Sequence, residues 1–207
     1  MFVEGTLRWQ VTEDCPWDLL MALCLRDIAG LDGVGEPALP RVVPEVQRVR
    51  HASGPSPVHR DAVDRCALAE QWVAWWQTVV RRELRPLTST LVPPHFTAFD
   101  RTIELQDLVL DRYEDAREWA TMRRAEYAMK STALHAQYAH DIVDVVRDRE
   151  HLLRQQAGYF RLDIAVMPLA ERGAWIVGPN SVVVSQSLRD DRAAFRSWFA
   201  PLVAALV

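Results

Sequence analysis

From Ala98 to Gly158 the chain runs for more than 50 residues without a proline or an internal glycine. Proline removes a helical hydrogen bond and glycine costs backbone entropy, so a stretch lacking both favours helix. Leu105, Leu108, Val109, Ala116, Trp119 and Ala120 form one helical stripe, and Tyr138, Ile142, Val145, Val146, Leu152 and Leu153 form another. A single helix of this length would reach about 75–90 Å. Two antiparallel helices, turning near Lys130-Ser131-Thr132, fit a compact domain better, with Ser131 or Thr132 capping the second. One long helix is the alternative.

Beyond Gly158 the period changes from 3.6 to 2. Phe160, Leu162, Ile164 and Val166 alternate with Arg161, Asp163 and Ala165, which predicts a half-buried strand. Ala174–Val177 and Ser181–Gln186 read as two more strands around a tight turn at Gly178-Pro179-Asn180-Ser181. A helix over about Arg189–Leu206 follows. At the other end, Leu7, Trp9 and Val11 alternate with Thr6, Arg8 and Gln10 inside a strand over Val3–Val11. Asp14 and Pro16 then signal a helix start, and Gly30 its left-handed end.

Residues 31–57 hold Gly33, Gly35, Pro37, Pro40, Pro44, Gly54, Pro55 and Pro57 and read as an irregular loop, with an extended piece within Arg41–Arg50 where Val42, Val43, Val46 and Val49 cluster. A helix from Val58 carries Trp72, Trp75 and Trp76 and ends before Arg85-Pro86. Tryptophans at helical spacing read as core.

Strand, helices, strands, helix is the order of an α+β fold. The expected architecture is mostly helical: one domain over residues 1–207, with helical region 58–158, strand region 159–187 and terminal helix 188–206. Its small antiparallel sheet combines the N-terminal strand with three C-terminal strands. Trp9 should share a sheet face with Phe160, Leu162 and Ile164.

Twenty-four basic residues face 28 acidic ones, for a net charge of −4. No basic excess exists to hold a nucleic-acid backbone, so none is expected as partner. Cys15, Cys24 and Cys66 are odd in number and lack metal-ligand spacing. No apolar run reaches the roughly 20 residues of a membrane span. A cytoplasmic protein with reduced thiols, without a membrane partner, is expected.

The strongest polar constellation is His140, Asp144, Asp148 and His151, nearly one line on a helix. Imidazole and carboxylate four residues apart can share a divalent metal ion. The two histidines would lie about 16 Å apart along the axis, so one ion could use only His140/Asp144 or Asp148/His151. A second acidic line, Glu104, Asp107, Asp111, Glu114 and Glu118, could converge on it from an adjacent helix, although Arg112 and Arg117 would neutralise it as surface pairs. No nucleophile elbow, phosphate loop or dinucleotide fingerprint occurs.

No motif names a reaction or a catalytic residue. The expected function is a non-enzymatic interaction or assembly protein that needs no cofactor and has itself as partner, with a homodimer interface on the tryptophan helix or on the apolar C-terminal helix. The alternative is a metal-binding helical bundle or metal-dependent enzyme built on the two polar lines.

Overall fold

The computed structural model describes residues 2–3, 8–47, 58–81 and 90–206. The chain is mostly helical α+β and divides into two compact units. One is continuous, Trp17–Arg123; the other is split, Met1–Pro16 with Arg124–Val207.

The continuous unit contains α1 (Trp17–Ile28), α2 (Val58–Val80) and most of α3 (Ile103–Ala133). Every residue of α1 from Leu19 to Ile28 is buried. Gly30 ends it at φ 65°, the left-handed conformation that glycine adopts freely. The three tryptophans of α2 are core: Trp72 stacks on Trp76 at 5.4 Å and donates its indole N–H to the Ala22 carbonyl at 2.8 Å, while Trp75 meets the edge of Phe99. The Gln71 side-chain Oε1 accepts from the Leu105 N–H at 2.9 Å, occupying one of the donors left free in the first turn of α3. Of the expected stripe of α3, Leu105, Val109, Ala116, Trp119 and Ala120 are buried and Leu108 is half-buried.

The split unit holds one five-stranded sheet in the order β1-β2-β3-β5-β4. Its strands are β1 (Phe2–Val3), β2 (Trp9–Asp14), β3 (Phe160–Met167), β4 (Ala174–Gly178) and β5 (Ser181–Ser185). Trp9 pairs with Phe160 and stacks on its ring at 5.9 Å; Val11 pairs with Leu162 and Glu13 with Ile164. The N-terminal strand therefore joins the C-terminal strands with Trp9 on the expected face. Helices α4 (His135–Leu153), α5 (Gln186–Asp190) and α6 (Arg192–Leu206) complete the unit, with α4 packed along α6.

Several expectations need correction. The sheet is mixed, not antiparallel: β2, β3 and β5 run parallel, and only the β1–β2 and β4–β5 pairs are antiparallel. The long helical excursion between β2 and β3 supplies the crossover that parallel pairing requires. The hairpin partner β4 lies at the edge, so β5 re-enters beside β3 in the same direction. Alternation reports which face a residue takes; it does not report strand direction.

The turn near Lys130–Thr132 is also absent. Leu134 alone is non-helical, at φ −107° and ψ 11°, and flanking bonds persist from Leu134 N–H to the Lys130 carbonyl and from Tyr138 N–H to the Leu134 carbonyl. One such residue bends a helix, whereas reversal takes a loop of about 2–5 residues.

The terminal helix is two helices. Ser185 Oγ accepts from the Leu188 N–H at 3.3 Å to start α5, and Asp191 Oδ1 accepts from the Ala194 N–H at 3.0 Å to start α6. The extended piece within 41–50 reduces to an isolated bridge at Val42, with residues 48–50 outside the described residues. Of the strand expected over Val3–Val11, Val3 lies in β1 and Trp9–Val11 in β2, which runs on to Asp14, with residues 4–7 outside the described residues. The tryptophan helix ends at Val80, short of the expected Arg85-Pro86, which lies outside them.

Candidate functional site

The polar centre of the split unit is a fully buried charge cluster. Glu13 and Asp141 are 0% exposed and Arg189 is 1% exposed. Three elements supply them. Glu13 follows Trp9 and Val11 on the inward side of β2. Asp141 lies on the buried side of α4, among Tyr138, Ile142 and Val145. Arg189 comes from α5, held at the end of β5 by the Ser185 cap.

The guanidinium of Arg189 bridges the two acids. Its Nε donates to Glu13 Oε2 at 2.8 Å, its Nη1 to Asp141 Oδ2 at 3.5 Å and its Nη2 to the Tyr138 carbonyl at 3.1 Å. The Tyr138 ring lies 3.8 Å and the Phe195 ring 4.0 Å from its central carbon, so aromatic faces cover the cation. Asp141 receives further charge from outside: Arg192 donates to Oδ1 through Nε at 2.9 Å and Nη2 at 2.8 Å. Tyr127 donates its hydroxyl to Glu13 Oε1 at 3.4 Å.

Burial pushes the Glu13 carboxyl above its ordinary 4.5, against the pull of Arg189. Asp141 has Arg192 as a second arginine at hydrogen-bond distance. Burial likewise raises the Tyr127 and Tyr138 hydroxyls, assisted at Tyr127 by the charge of Glu13 and at Tyr138 by Asp190, which accepts its hydroxyl at 3.1 Å. The Cys15 thiol is pushed up to about 12 by burial and then by Asp14, which leaves it protonated and unreactive at neutral pH. A general acid or base must reach the proton it moves. Glu13 is fully buried.

The sequence-predicted line on α4 divides. His140 and His151 are exposed. Asp144 and Asp148 both face Arg196 of α6, at 3.1 and 3.7 Å. Arg196 thus lies between the two carboxylates of this line. Three acids of the α3 line are engaged within their own unit: Asp111 pairs with Arg112 at 2.8 Å, Glu114 with Arg117 at 2.7 Å, and Glu104 bonds to Gln71; Asp107 and Glu118 are exposed. Among the described residues, no group of three or more histidine, cysteine, aspartate or glutamate side chains is arranged to hold a metal ion.

Glu13, Asp141 and Arg189 were not singled out from the sequence. Two of them carried a signal, since an acid stands at an inward position of an alternating strand and another on the apolar stripe of a helix.

The chain matches no family model, no curated protein and no solved structure in the comparisons made. Among the described residues, no helix is long and apolar enough to cross a membrane.

Proposed function

We propose that this protein works by binding another protein chain, itself foremost, and not by chemistry at a buried centre. The observation that carries this reading is the outer edge of the sheet. β4 reads Ala174-Trp175-Ile176-Val177-Gly178, without a charge, and among the described residues no strand pairs with its outer side. Ile176 on it is 66% exposed. Unpaired edges with apolar side chains are templates for another chain, and proteins usually blunt them with charge or proline. The closed charge cluster supports the same reading, because its carboxylates are spent on arginines and tyrosines of the chain itself.

The helices first expected at the interface are used internally. Trp72, Trp75 and Trp76 of α2 are buried, as are Phe195, Phe199 and Val203 of α6. The surface for a partner therefore moves from the helices to the sheet.

Sedimentation equilibrium over micromolar to submillimolar protein tests the proposal. The expected result is an average mass that rises with concentration. A monomer throughout that range would overturn self-association, and stoichiometric metal retained by the untagged protein would favour the metal-binding alternative.

A further inference from the structure

We propose that the partner at the β4 edge is the β4 of a second copy, paired antiparallel about a two-fold axis through Trp175. This rests on the interaction reading above and adds the occupant and its register.

The backbone sets the register. Ser185 N–H donates to the Gly173 carbonyl at 2.9 Å, which makes Gly173 and Ser185 a hydrogen-bonded pair. Such pairs alternate along an antiparallel ladder. Trp175, opposite Val183, is the next bonded pair, while Ala174 and Ile176, opposite Val184 and Val182, turn their N–H and C=O groups to the free side. The pairing with β5 becomes irregular between Ile176 and Gly178, so the regular outward ladder is short.

Only one symmetric antiparallel arrangement centred on that ladder lets both outward residues exchange bonds. Ala174 of one copy faces Ile176 of the other, and the reverse, giving four backbone hydrogen bonds. The side chains suit this pairing: the small Ala174 leaves room for the exposed Ile176 of its opposite number. Trp175 meets its own copy on the other sheet face. Its ring is folded back over Gly173, where an added Cβ would lie 2.9 Å from its Cη2, so it does not fill the axis.

Charge also fits. In this register Glu171 comes opposite Pro179 and Arg172 opposite Gly178, so no charged residue of the segment meets a like charge. A two-fold contact uses the same edge of both copies and closes, where a head-to-tail contact would propagate. Four backbone hydrogen bonds and two Ala174–Ile176 contacts make a small interface, so a weak, concentration-dependent dimer is expected.

The test compares full-length Ile176→Lys and Ile176→Pro with the unaltered protein by sedimentation equilibrium, with thermal melts as a folding control. Proline removes an outward N–H and leaves the bonded pair at Trp175 in place. Both variants should weaken association at least tenfold with little change in melting; if the proline variant misfolds, the lysine variant decides alone. In a Cys66→Ala background, Trp175→Cys should cross-link to its own copy, because Cα atoms about 4.5 Å apart can be bridged. Association unchanged by Ile176→Lys, with no Trp175→Cys cross-link, overturns this register while the interaction reading stands. A monomer at every concentration that binds no extended peptide overturns both; binding of an unrelated extended peptide by a chain that never pairs with itself overturns the second copy as occupant while the interaction reading stands.

Discussion

Each unit buries an arginine beside an acid, and the two do different work. In the continuous unit Arg26 binds its sequence neighbour Asp27 at 2.6 Å and donates to the Leu39 and Pro40 carbonyls at 2.9 and 2.7 Å, while Asp27 accepts from the Val42 N–H at 2.7 Å. The pair acts as a pin that fixes a proline-rich loop to α1. In the split unit Arg189 joins β2, α4 and α5 through partners up to 176 positions away in sequence. The same ion chemistry ties down a local loop in one place and assembles the tertiary structure in the other. Removing one member of a buried pair costs more than the pair contributes, because the survivor stays charged and dry. That penalty should spread through the split unit and stay local in the continuous one.

Arg189→Met tests the first half and should have the largest effect. It leaves two fully buried carboxylates, and a loss of about 3–5 kcal/mol is expected in urea unfolding. Amide exchange should rise throughout residues 9–14 and 160–167. A loss below about 1 kcal/mol would show that the sheet does not depend on the cluster.

Arg26→Met should cost less, about 2–3 kcal/mol, because it releases two carbonyls and one acid that keeps its backbone donor. Faster exchange should be confined to residues 31–47. Exchange spreading through all of α1 and α2 would erase the contrast between pin and scaffold.

The pH dependence separates burial from pairing at Glu13. Its folded-state pKa lies above 4.5, so its contribution to stability is fully present below that pH and is lost as pH rises through the folded value. Glu13→Gln should therefore match the unaltered protein at about pH 4.5 and gain on it toward neutrality. If the unaltered protein instead gains on the variant as pH rises, attraction to Arg189 outweighs burial.

Tyr127→Phe should be smallest, about 0.5–1.5 kcal/mol. It removes one donor from Glu13 and should sharpen the same pH dependence, because the carboxylate form loses a hydrogen bond. Identical pH profiles with and without the hydroxyl would remove Tyr127 from the cluster.

Local patterns made much of this fold legible. The stripe of α3, the tryptophan core of α2 and the placing of Trp9 with Phe160, Leu162 and Ile164 all follow from periodicity, which is a property of neighbours. Strand direction, the bend at Leu134 and the break at Asp191 are set by crossovers and by side-chain caps that periodicity does not report. At the site, Asp144 and Asp148 were legible as a line, but the arginine that meets them comes from α6. Glu13 and Asp141 were visible as charges on apolar positions. Nothing near Arg189 in sequence marks it as their partner.

The separation between Glu13 and Arg189 also has a meaning in time. A ribosome adds about 5–20 residues per second, so an interval of roughly 10–35 s separates the two ends of this ion pair during synthesis. Through that interval β2 waits for its arginine, while all of Trp17–Arg123 emerges and can settle as a continuous segment. The split unit works as a late clasp: β2 is made 176 positions before the arginine that meets its carboxylate. Slow translation or an arrest before Arg189 would leave that strand exposed to holdases, to proteases and to the edges of other nascent chains.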